Sequence, residues 1–200
     1  LHTIVVTGGF VREGWNCHLF ILAVCDLNGS KPTIFAPFFP ISIMEQQFFK
    51  VLVAGLAHLD LAPMICEEMA ASALARGTSI ARRSSEYLPV KTLEGKAVIA
   101  FSMQGEWAGF CYIETWSHGQ YVANSGLIVS PNFRKGGLAK MIKRKIFDLS
   151  RSMYPDAKIF GLTTGLAVMK INSDLGYEPV TYSELTNDDA FWAGCKSCIN

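Results

Sequence analysis

From residue 44 onward, the chain alternates between strand-like and helix-like patterns of apolar positions. Short apolar runs rich in β-branched and aromatic residues predict strands over 48–54, 96–101, 106–116, 121–129, 158–163 and 177–180. Apolar residues that recur at spacings of three and four predict helices over 60–75, 138–153 and 166–175. This order predicts a mixed α/β fold with a central, largely antiparallel sheet flanked by helices, in which one strand–helix–strand unit is parallel.

The helix predicted over 138–153 has an apolar stripe and a polar face. The stripe comprises Leu138, Met141, Ile142, Ile146, Leu149 and Met153. The other face comprises Lys140, Lys143, Arg144, Asp148 and Arg151. An amphipathic helix of this kind buries its apolar stripe against the core. We therefore expect the charged residues, Lys143 among them, on the side away from the core.

Residues 1–43 follow neither pattern. They carry few charges, and several prolines and phenylalanines interrupt any periodicity. The chain begins with Leu1, whereas a well-patterned segment follows Met44. We therefore predict that Met44 is the natural start, that residues 44–200 form one domain, and that residues 1–43 are an atypical extension that is not native. A signal peptide is the alternative, although Val24 before Cys25 makes a poor lipobox.

The composition is that of a folded, nearly neutral protein. Half of the 200 residues are hydrophobic and 18% are charged, so the chain can bury a core. Eighteen Lys and Arg against seventeen Asp and Glu give a formal net charge of +1, and no overall field attracts nucleic acid or an anionic membrane. The longest apolar run, Leu19–Cys25, is far shorter than the ~18 residues of a membrane span. We expect neither a nucleic acid nor a membrane as partner.

The cysteines and histidines favour a reduced protein without a metal. Six cysteines at irregular spacing do not resemble a disulfide framework, which is typical of a cytoplasmic protein. Cys195 and Cys198 form a single CxxC pair, which supplies at most half of a zinc site, and the histidines have no metal-ligand spacing. Asp188, between Asn187 and Asp189, is interpreted as part of a helix cap rather than of a cation site.

The segment 127–140 carries the clearest chemical signal. An apolar strand enters a turn that contains Gly136 and Gly137, and a basic amphipathic helix follows. Glycine lets the backbone approach a ligand closely, and the free N–H groups of a first helical turn bind phosphate. The spacing matches neither a Walker P-loop nor the GxGxxG fingerprint. A diphosphate-binding turn and an ordinary glycine-rich turn before a basic helix both fit the pattern.

Two motifs resemble those of the GNAT superfamily of N-acetyltransferases. Arg134-x-x-Gly137-x-Ala139 resembles the Gln/Arg-x-x-Gly-x-Gly/Ala motif with which these proteins bind acetyl-CoA. Asn172 followed by Leu175-Gly176-Tyr177 resembles a second family element, Asn…Leu-Gly-Phe/Tyr. The resemblance covers roughly residues 46 to 180. It extends to a GNAT branch linked to arginine biosynthesis and glutamate-type acceptors.

The resemblance implies a β-α-β core that binds acetyl-CoA as co-substrate. Backbone groups of the strand at 127–129 would pair with the pantetheine arm and polarise the thioester carbonyl, and the segment 134–140 would surround the diphosphate. The implied cofactor-binding residues are Leu127, Ile128, Val129, Arg134, Lys135, Gly136, Gly137, Leu138, Ala139, Lys140 and Asn172. Since GNAT proteins usually have a further strand after the one at Tyr177, a chain truncated at its C-terminus is also expected.

The resemblance leaves the general base open. Many GNAT enzymes carry Glu at a position that falls near Ala123, and alanine takes no proton. Glu114 is the first substitute and His118 the second, with Tyr177 as a further residue that lines the site or packs below it. A solvated strand-end carboxylate and an ordinary turn histidine are the alternative interpretations of Glu114 and His118.

The segment after the first helix covers the acceptor in GNAT proteins. Here it carries Arg76, Arg82 and Arg83, which could hold a carboxylate or form a solvated basic loop. The sequence therefore predicts transfer of an acetyl group to the amine of a small molecule such as glutamate, in a monomer or a homodimer. A protein N-acetyltransferase and a non-catalytic CoA-binding sensor, which Ala123 favours, are the alternatives.

Overall fold

The computed structural model describes residues 20–23, 49–77, 84, 86–163, 165–181 and 184–195. The strands are β1 (Phe20–Ala23), β2 (Phe49–Val53), β3 (Ala97–Ser102), β4 (Trp107–Trp116), β5 (Tyr121–Val129), β6 (Lys158–Thr163) and β7 (Glu178–Pro179). The α-helices are α1 (Ala62–Ala75), α2 (Tyr87–Leu93), α3 (Leu138–Met153), α4 (Leu166–Asp174) and α5 (Asp189–Cys195). Short 3-10 helices lie at Leu56–Leu61, Ser117–Gly119 and Pro131–Phe133.

The strands form one sheet in the order β2-β3-β4-β5-β6-β1-β7. Neighbouring strands are antiparallel except for β5 and β6, which are parallel because the chain returns through α3 between them. This confirms the prediction of a largely antiparallel sheet with one parallel strand–helix–strand unit.

Helices cover both faces of the sheet. On one face, α1 and α2 pack on β3 and β4 through Ile65, Met69 and Leu88. On the other face, α3 packs on the sheet through Leu138, Ile142 and Ile146, and the end of α4 joins the same core. The apolar stripe predicted for the helix at 138–153 therefore faces the sheet, as expected.

Lys143 is a correction to that prediction. Lys143 is only 1% exposed, so it does not lie on a solvated face of α3. The reason is that α3 is covered by the sheet and also flanked by the segment that follows α4, where the Tyr177 ring lies 5.5 Å from Lys143 Nζ. Burial of α3 is therefore wider than a two-faced pattern predicts.

The sequence patterns also failed to predict β1 and α2, and they predicted a last strand longer than β7. Strand β1 lies within the region where no strand was predicted, and it pairs with β6 and β7. Helix α2 was not predicted, and β7 is shorter than the run 177–180. Asp188 does cap α5, since its Oδ1 accepts a hydrogen bond from the Ala190 amide at 2.9 Å. The division into an extension and a domain from Met44 stays a prediction.

Candidate functional site

Strands β5 and β6 separate part of the way along their length. They pair at three positions, from Tyr121–Lys158 to Ala123–Phe160. β4 stays paired with β5 as far as Val129, so the backbone of residues 124–129 pairs on one side only within the described residues. We call this opening the β5–β6 cleft and its closed end, next to Ala123 and Phe160, the apex. The cleft exposes unpaired peptide groups that a ligand can bind.

A β-bulge shapes β5 just beyond the apex. Between the pairs Tyr112–Ser125 and Phe110–Ile128, two residues of β5 lie opposite Cys111 alone. Gly126 takes a φ of +63°, and the Cys111 thiol donates a 3.2 Å hydrogen bond to the Ser125 carbonyl. Burial raises the pKa of this thiol to about 11, so Cys111 is a packing residue rather than a nucleophile.

Replacing Gly126 by Ala should destabilise the protein by about 3 kcal/mol, since overpacking and a left-handed non-glycine residue each cost about 1–3 kcal/mol. A Cβ atom there would overlap the Tyr112 ring, with only 2.8 Å to Cδ1. Urea unfolding measures the effect. Gly95→Ala is the matched control, because Gly95 has a φ of +68° but nothing within 4 Å of a Cβ atom. An equal decrease in the free energy of unfolding of the two variants would contradict the packing argument.

The turn between β5 and α3 presents a row of free backbone amides at the mouth of the cleft. Lys135 and Gly137 both have left-handed backbone conformations, with φ of +69° and +79°. Within the described residues, the amides of positions 135–139 have no hydrogen-bond acceptor, and the first amide bonded to this turn is that of Lys140. Successive amides in such a turn, at a helix N-terminus, form a concave site for an anion. We call the amides of 135–139 the amide cradle.

The Arg134 side chain points away from the amide cradle. Its Nε donates to the Val129 carbonyl at 3.0 Å, and Nη2 lies 3.1 Å from Glu68 Oε1 on α1. Ser72 Oγ accepts from Arg134 Nη2 at 3.2 Å and from Arg76 Nη1 at 2.9 Å. Arg134 therefore holds the turn against α1. The predicted contact of Arg134 with a diphosphate stays a prediction.

The basic side chains of the same segment are exposed. Lys140 Nζ lies 3.2 Å from Asp174 Oδ2, where it ties α3 to α4. Lys135 is exposed beside the amide cradle.

Leu127 and Val129 pack toward α3, whereas Ile128 packs toward α1 and α2. These apolar contacts fix β5, so that its backbone edge faces the cleft.

Asn172 is a buried amide. It is 1% exposed, and within the part of the chain that the structure describes neither its Nδ2 nor its Oδ1 has a hydrogen bond. A Cβ atom placed on Gly161 of β6 would lie 3.3 Å from Nδ2, so the amide lies beside the cleft just beyond the apex. An unsatisfied buried amide is costly, typically about 1–3 kcal/mol per group, and it fits a ligand that supplies both a donor and an acceptor.

Tyr177 packs below the cleft. Its hydroxyl donates a 2.8 Å hydrogen bond to Asn124 Oδ1, and Asn124 Nδ2 donates to Ser150 Oγ at 2.6 Å. Tyr177 is 3% exposed and Asn124 is 5% exposed. This buried network joins β5, α3 and the segment after α4, so it fixes the geometry of the apex.

Glu114 lies on the opposite face of the sheet, under α2. Its Oε2 is 3.0 Å from Lys91 Nζ, and the Tyr87 hydroxyl donates to Oε1. Glu114 is the direct cross-strand partner of Ala123, so both side chains point to the same face. The carboxylate therefore lies next to Ala123, the position near which the sequence resemblance expects a Glu.

His118 is far less suitably placed. It lies exposed in the turn of the β4–β5 hairpin, with a φ of 55°. It is five positions before Ala123, and the strand from Tyr121 to Ala123 adds about 7 Å between this turn and the apex. Between the two candidate bases, the geometry favours Glu114.

The remaining predicted residues are only partly described. Arg76 is exposed at the end of α1, whereas Arg82 and Arg83 lie outside the described residues. For the CxxC pair, the structure describes the backbone of Cys195 only. Among the described residues, no group of three or more His, Cys, Asp or Glu side chains could hold a metal ion. No helix in the same part of the chain is long and apolar enough to span a bilayer.

Comparison with known proteins identifies the fold. No protein-family model matches the chain, and no curated protein sequence matches it. N-acetylglutamate synthase from Neisseria gonorrhoeae, crystallised with coenzyme A and N-acetyl-glutamate, is similar with a TM-score of 0.59 at 19% identity over 76% of this chain and 34% of that one. A Mycobacterium tuberculosis protein crystallised with CoA and NLQ is similar at 0.56, with 15% identity over 74% and 81% of the two chains.

A third similar structure is the ribosomal-protein-S18-alanine N-acetyltransferase from Escherichia coli. Its TM-score is 0.50 at 13% identity, over 66% of this chain and 79% of that one. The chain thus spans about a third of the Neisseria gonorrhoeae synthase and most of the other two proteins. These likenesses establish the fold of GNAT acetyltransferases, which confirms the fold that the two sequence motifs imply.

Proposed function

We propose that the chain is an acetyl-CoA-dependent N-acetyltransferase that acts on the amino group of a small carboxylated amine such as glutamate. The observation that carries the proposal is the amide cradle at the mouth of the β5–β6 cleft. Five successive amides without an acceptor in the described chain suit a diphosphate. The fold shared with a synthase crystallised with coenzyme A and N-acetyl-glutamate supports the same choice.

The residues of the cleft fit acetyl-CoA along its length. The amides of 135–139 would bind the diphosphate, and Lys135 adds a positive charge beside them. The unpaired edge of β5 at 124–129 would pair with the amides of the pantetheine arm, as an added strand does. Asn172 offers the arm a donor and an acceptor, and the arm would satisfy an amide that has no hydrogen-bond partner among the described residues.

The reaction is attack of a neutral amine on the thioester carbonyl. The backbone amides of the bulged part of β5 would polarise that carbonyl. Glu114, on the α1 and α2 face, would take a proton from the amine directly or through a water molecule. Lys91 and Tyr87 hold the carboxylate in one orientation. Arg76, with Arg82 and Arg83, would pair with the acceptor carboxylate.

A non-catalytic CoA-binding sensor is the second candidate. Two observations favour it: Ala123 has no proton-accepting group, and Glu114 is already bound by Lys91 and Tyr87. A sensor of this kind would keep the amide cradle and would bind coenzyme A without transferring its acetyl group.

Thiol release from acetyl-CoA tests the proposal. The purified chain would be assayed with a panel of amino acids, with amines that lack a carboxylate, and with a peptide that has a free N-terminal alanine. We expect release that depends on a carboxylated amino acid. Release with the peptide alone would instead indicate a protein acetyltransferase. Coenzyme A binding without release on any acceptor would indicate the sensor, and the absence of binding would refute both.

A further inference from the structure

Lys143 is a buried lysine without a carboxylate partner among the described residues. It is 1% exposed, and the ion pairs of the described chain do not include it. Burying an unpaired ammonium costs desolvation free energy, and a methionine or leucine in the middle of α3 would avoid that cost. Because no ion pair among the described residues uses this charge, the position of Lys143 relative to the cleft is the informative feature.

Three contacts locate Lys143 Nζ at the apex of the β5–β6 cleft. On the β6 side, a Cβ atom placed on Gly161 would lie 3.7 Å from Nζ. From below, the Tyr177 ring centroid is 5.5 Å away. On the β4 side, Nζ interacts electrostatically with Cys111, whose thiol bonds to the Ser125 carbonyl at the bulge. Residue 161 follows directly after the last β5–β6 pair, so these contacts surround the point where the strands separate.

Asn172 lies at the same place, and neither of its amide atoms has a partner among the residues that the structure describes. The same Cβ position on Gly161 is 3.3 Å from Asn172 Nδ2. The Lys143 amine and the Asn172 amide thus both lie within 4 Å of the Gly161 Cβ position, at the closed end of a cleft whose open end is the amide cradle. The arrangement suits a ligand held at the cradle, with an arm that follows β5 and ends in a group that develops negative charge.

Burial, and not a neighbouring charge, favours loss of the proton from Lys143. Burial lowers the pKa of Lys143 from the ordinary lysine value, and the interaction with Cys111 opposes that only in part. Among the described residues, Cys111 of β4 and Tyr177 of the segment after α4 are titratable groups that face Nζ, and neither is a carboxylate. Asn172 of α4 is a neutral polar neighbour, and Asn124 of β5 accepts a hydrogen bond from the Tyr177 hydroxyl.

We propose that Lys143 is the acid that protonates the thiolate of coenzyme A as it leaves, an inference that rests on the proposed acetyltransferase function. The amine nitrogen forms a bond to the thioester carbonyl carbon, and the carbon–sulfur bond breaks. Its electron pair goes to sulfur. The Lys143 ammonium transfers one proton to that sulfur, which yields the free thiol and a neutral lysine. The proton that the amine loses goes to Glu114 or to water, and solvent protonates Lys143 again after product release.

Burial assists this step. A buried ammonium is destabilised relative to the neutral amine, so transfer of the proton removes a charge from the apolar site. Before transfer, the same charge stabilises the developing thiolate electrostatically. Asn172 positions the pantetheine arm of coenzyme A beside Lys143 Nζ.

The first test measures the thiol of bound coenzyme A without any turnover. The ultraviolet absorbance of the thiolate would be titrated against pH for coenzyme A bound to wild type and to Lys143→Met. We expect a bound thiol pKa that is about 1–3 units lower in wild type, since an opposite charge within ~4–6 Å favours the thiolate by that amount. Equal thiol pKa values in the two proteins would overturn the proposal, whether or not the chain is an active transferase.

The second test separates a catalytic from a structural role. Lys143→Met should keep or raise the melting temperature, because an apolar side chain replaces a buried charge, while kcat falls about 100-fold and the coenzyme A dissociation constant changes little. Lys145→Met, at an exposed position of the same helix, is the control and should change neither. Lys143→Arg keeps the charge but holds its proton, so its kcat should also fall.

The pH profile of kcat shows whether the reaction requires the protonated form of Lys143. Wild type requires protonated Lys143, so its activity should fall as the pH rises through a value below the ordinary lysine range. Lys143→Met should lack that alkaline limb. Wild-type kcat and an unchanged profile in Lys143→Met would overturn the proposal and leave the acetyltransferase function intact. Absence of amine-dependent release in wild type would count against the proposed function instead.

Discussion

Replacing Gly137 by Asp should weaken coenzyme A binding by about 100-fold. Gly137 is the residue before α3, and its φ of +79° disfavours any residue with a Cβ atom. The new carboxylate would lie in the amide cradle, where it repels a diphosphate. Two like charges ~4 Å apart repel by about 1 kcal/mol in bulk water and by about 4 kcal/mol near a protein surface, and each 1.4 kcal/mol is about tenfold in affinity. Isothermal titration calorimetry with coenzyme A measures the change.

A matched glycine separates backbone strain from the effect on the ligand. Gly95 has a φ of +68° and lies in the turn between α2 and β3, away from the cleft. Gly95→Asp should lower stability by an amount similar to that of Gly137→Asp, with coenzyme A affinity unchanged. If Gly137→Asp were to bind coenzyme A as tightly as wild type, the diphosphate would have to be bound elsewhere.

Replacing Glu114 by Gln should lower kcat by about 100-fold or more with little change in coenzyme A affinity, because glutamine has nearly the same shape but does not accept the proton of the amine. The position supports this role, since Glu114 is the cross-strand partner of Ala123 and faces α2. Steady-state kinetics at saturating acetyl-CoA, together with coenzyme A titration, separate turnover from binding.

Glu94→Gln is the control for Glu114→Gln. Glu94 also forms an ion pair with a lysine, at 2.8 Å from Lys96 Nζ, but it lies in the turn after α2 and is partly exposed. The control should retain wild-type kcat. Wild-type turnover in Glu114→Gln would remove Glu114 as the base and would strengthen the sensor hypothesis.

The sequence predicted much of the fold because most elements have strong local patterns. The apolar stripe of α3 and the long runs of β4 and β5 gave their bounds to within one residue, and the bounds of β6 were predicted without error. The order of these elements was enough to predict the parallel pair of β5 and β6, since a helix between two strands of one sheet returns the chain to the same end.

The elements that were missed depend on contacts far along the chain. A strand as short as Phe20–Ala23 has no period to detect, and it is specified by its pairing with β6 and β7. Helix α2 is seven residues long, and its buried residues, Leu88 and Thr92, are too few to form a stripe. Tertiary packing rather than local propensity determines such segments.

The candidate site was predictable where backbone chemistry defines it and not where burial does. Glycines at 136 and 137 before a basic helix indicated the amide cradle directly. Lys143 was assigned to a polar face because lysine is almost always solvated. Its spacing from Ala139, Ile146 and Phe147 places it beside the apolar stripe, which was the available signal. The structure shows that this side of α3 is covered, because Lys143 Nζ lies near the Tyr177 ring and near Gly161, which has no side chain.

Cross-strand pairing likewise distinguishes the positions of the two candidate bases. Glu114 and His118 are four residues apart in sequence, and the sequence alone left both open. The register of β4 and β5 sets Glu114 opposite Ala123, whereas His118 belongs to the turn beyond the last pair, Trp116–Tyr121. A one-residue slip would have reversed the face of every side chain on β4.

A crystal structure of the chain with coenzyme A tests the central claim most directly. The account predicts diphosphate oxygens at hydrogen-bonding distance, about 2.7–3.2 Å, from amide nitrogens of residues 135–139, with the pantetheine arm along β5 at 124–129. A diphosphate bound at any other surface, or crystals without the coenzyme at saturating concentration, would contradict it.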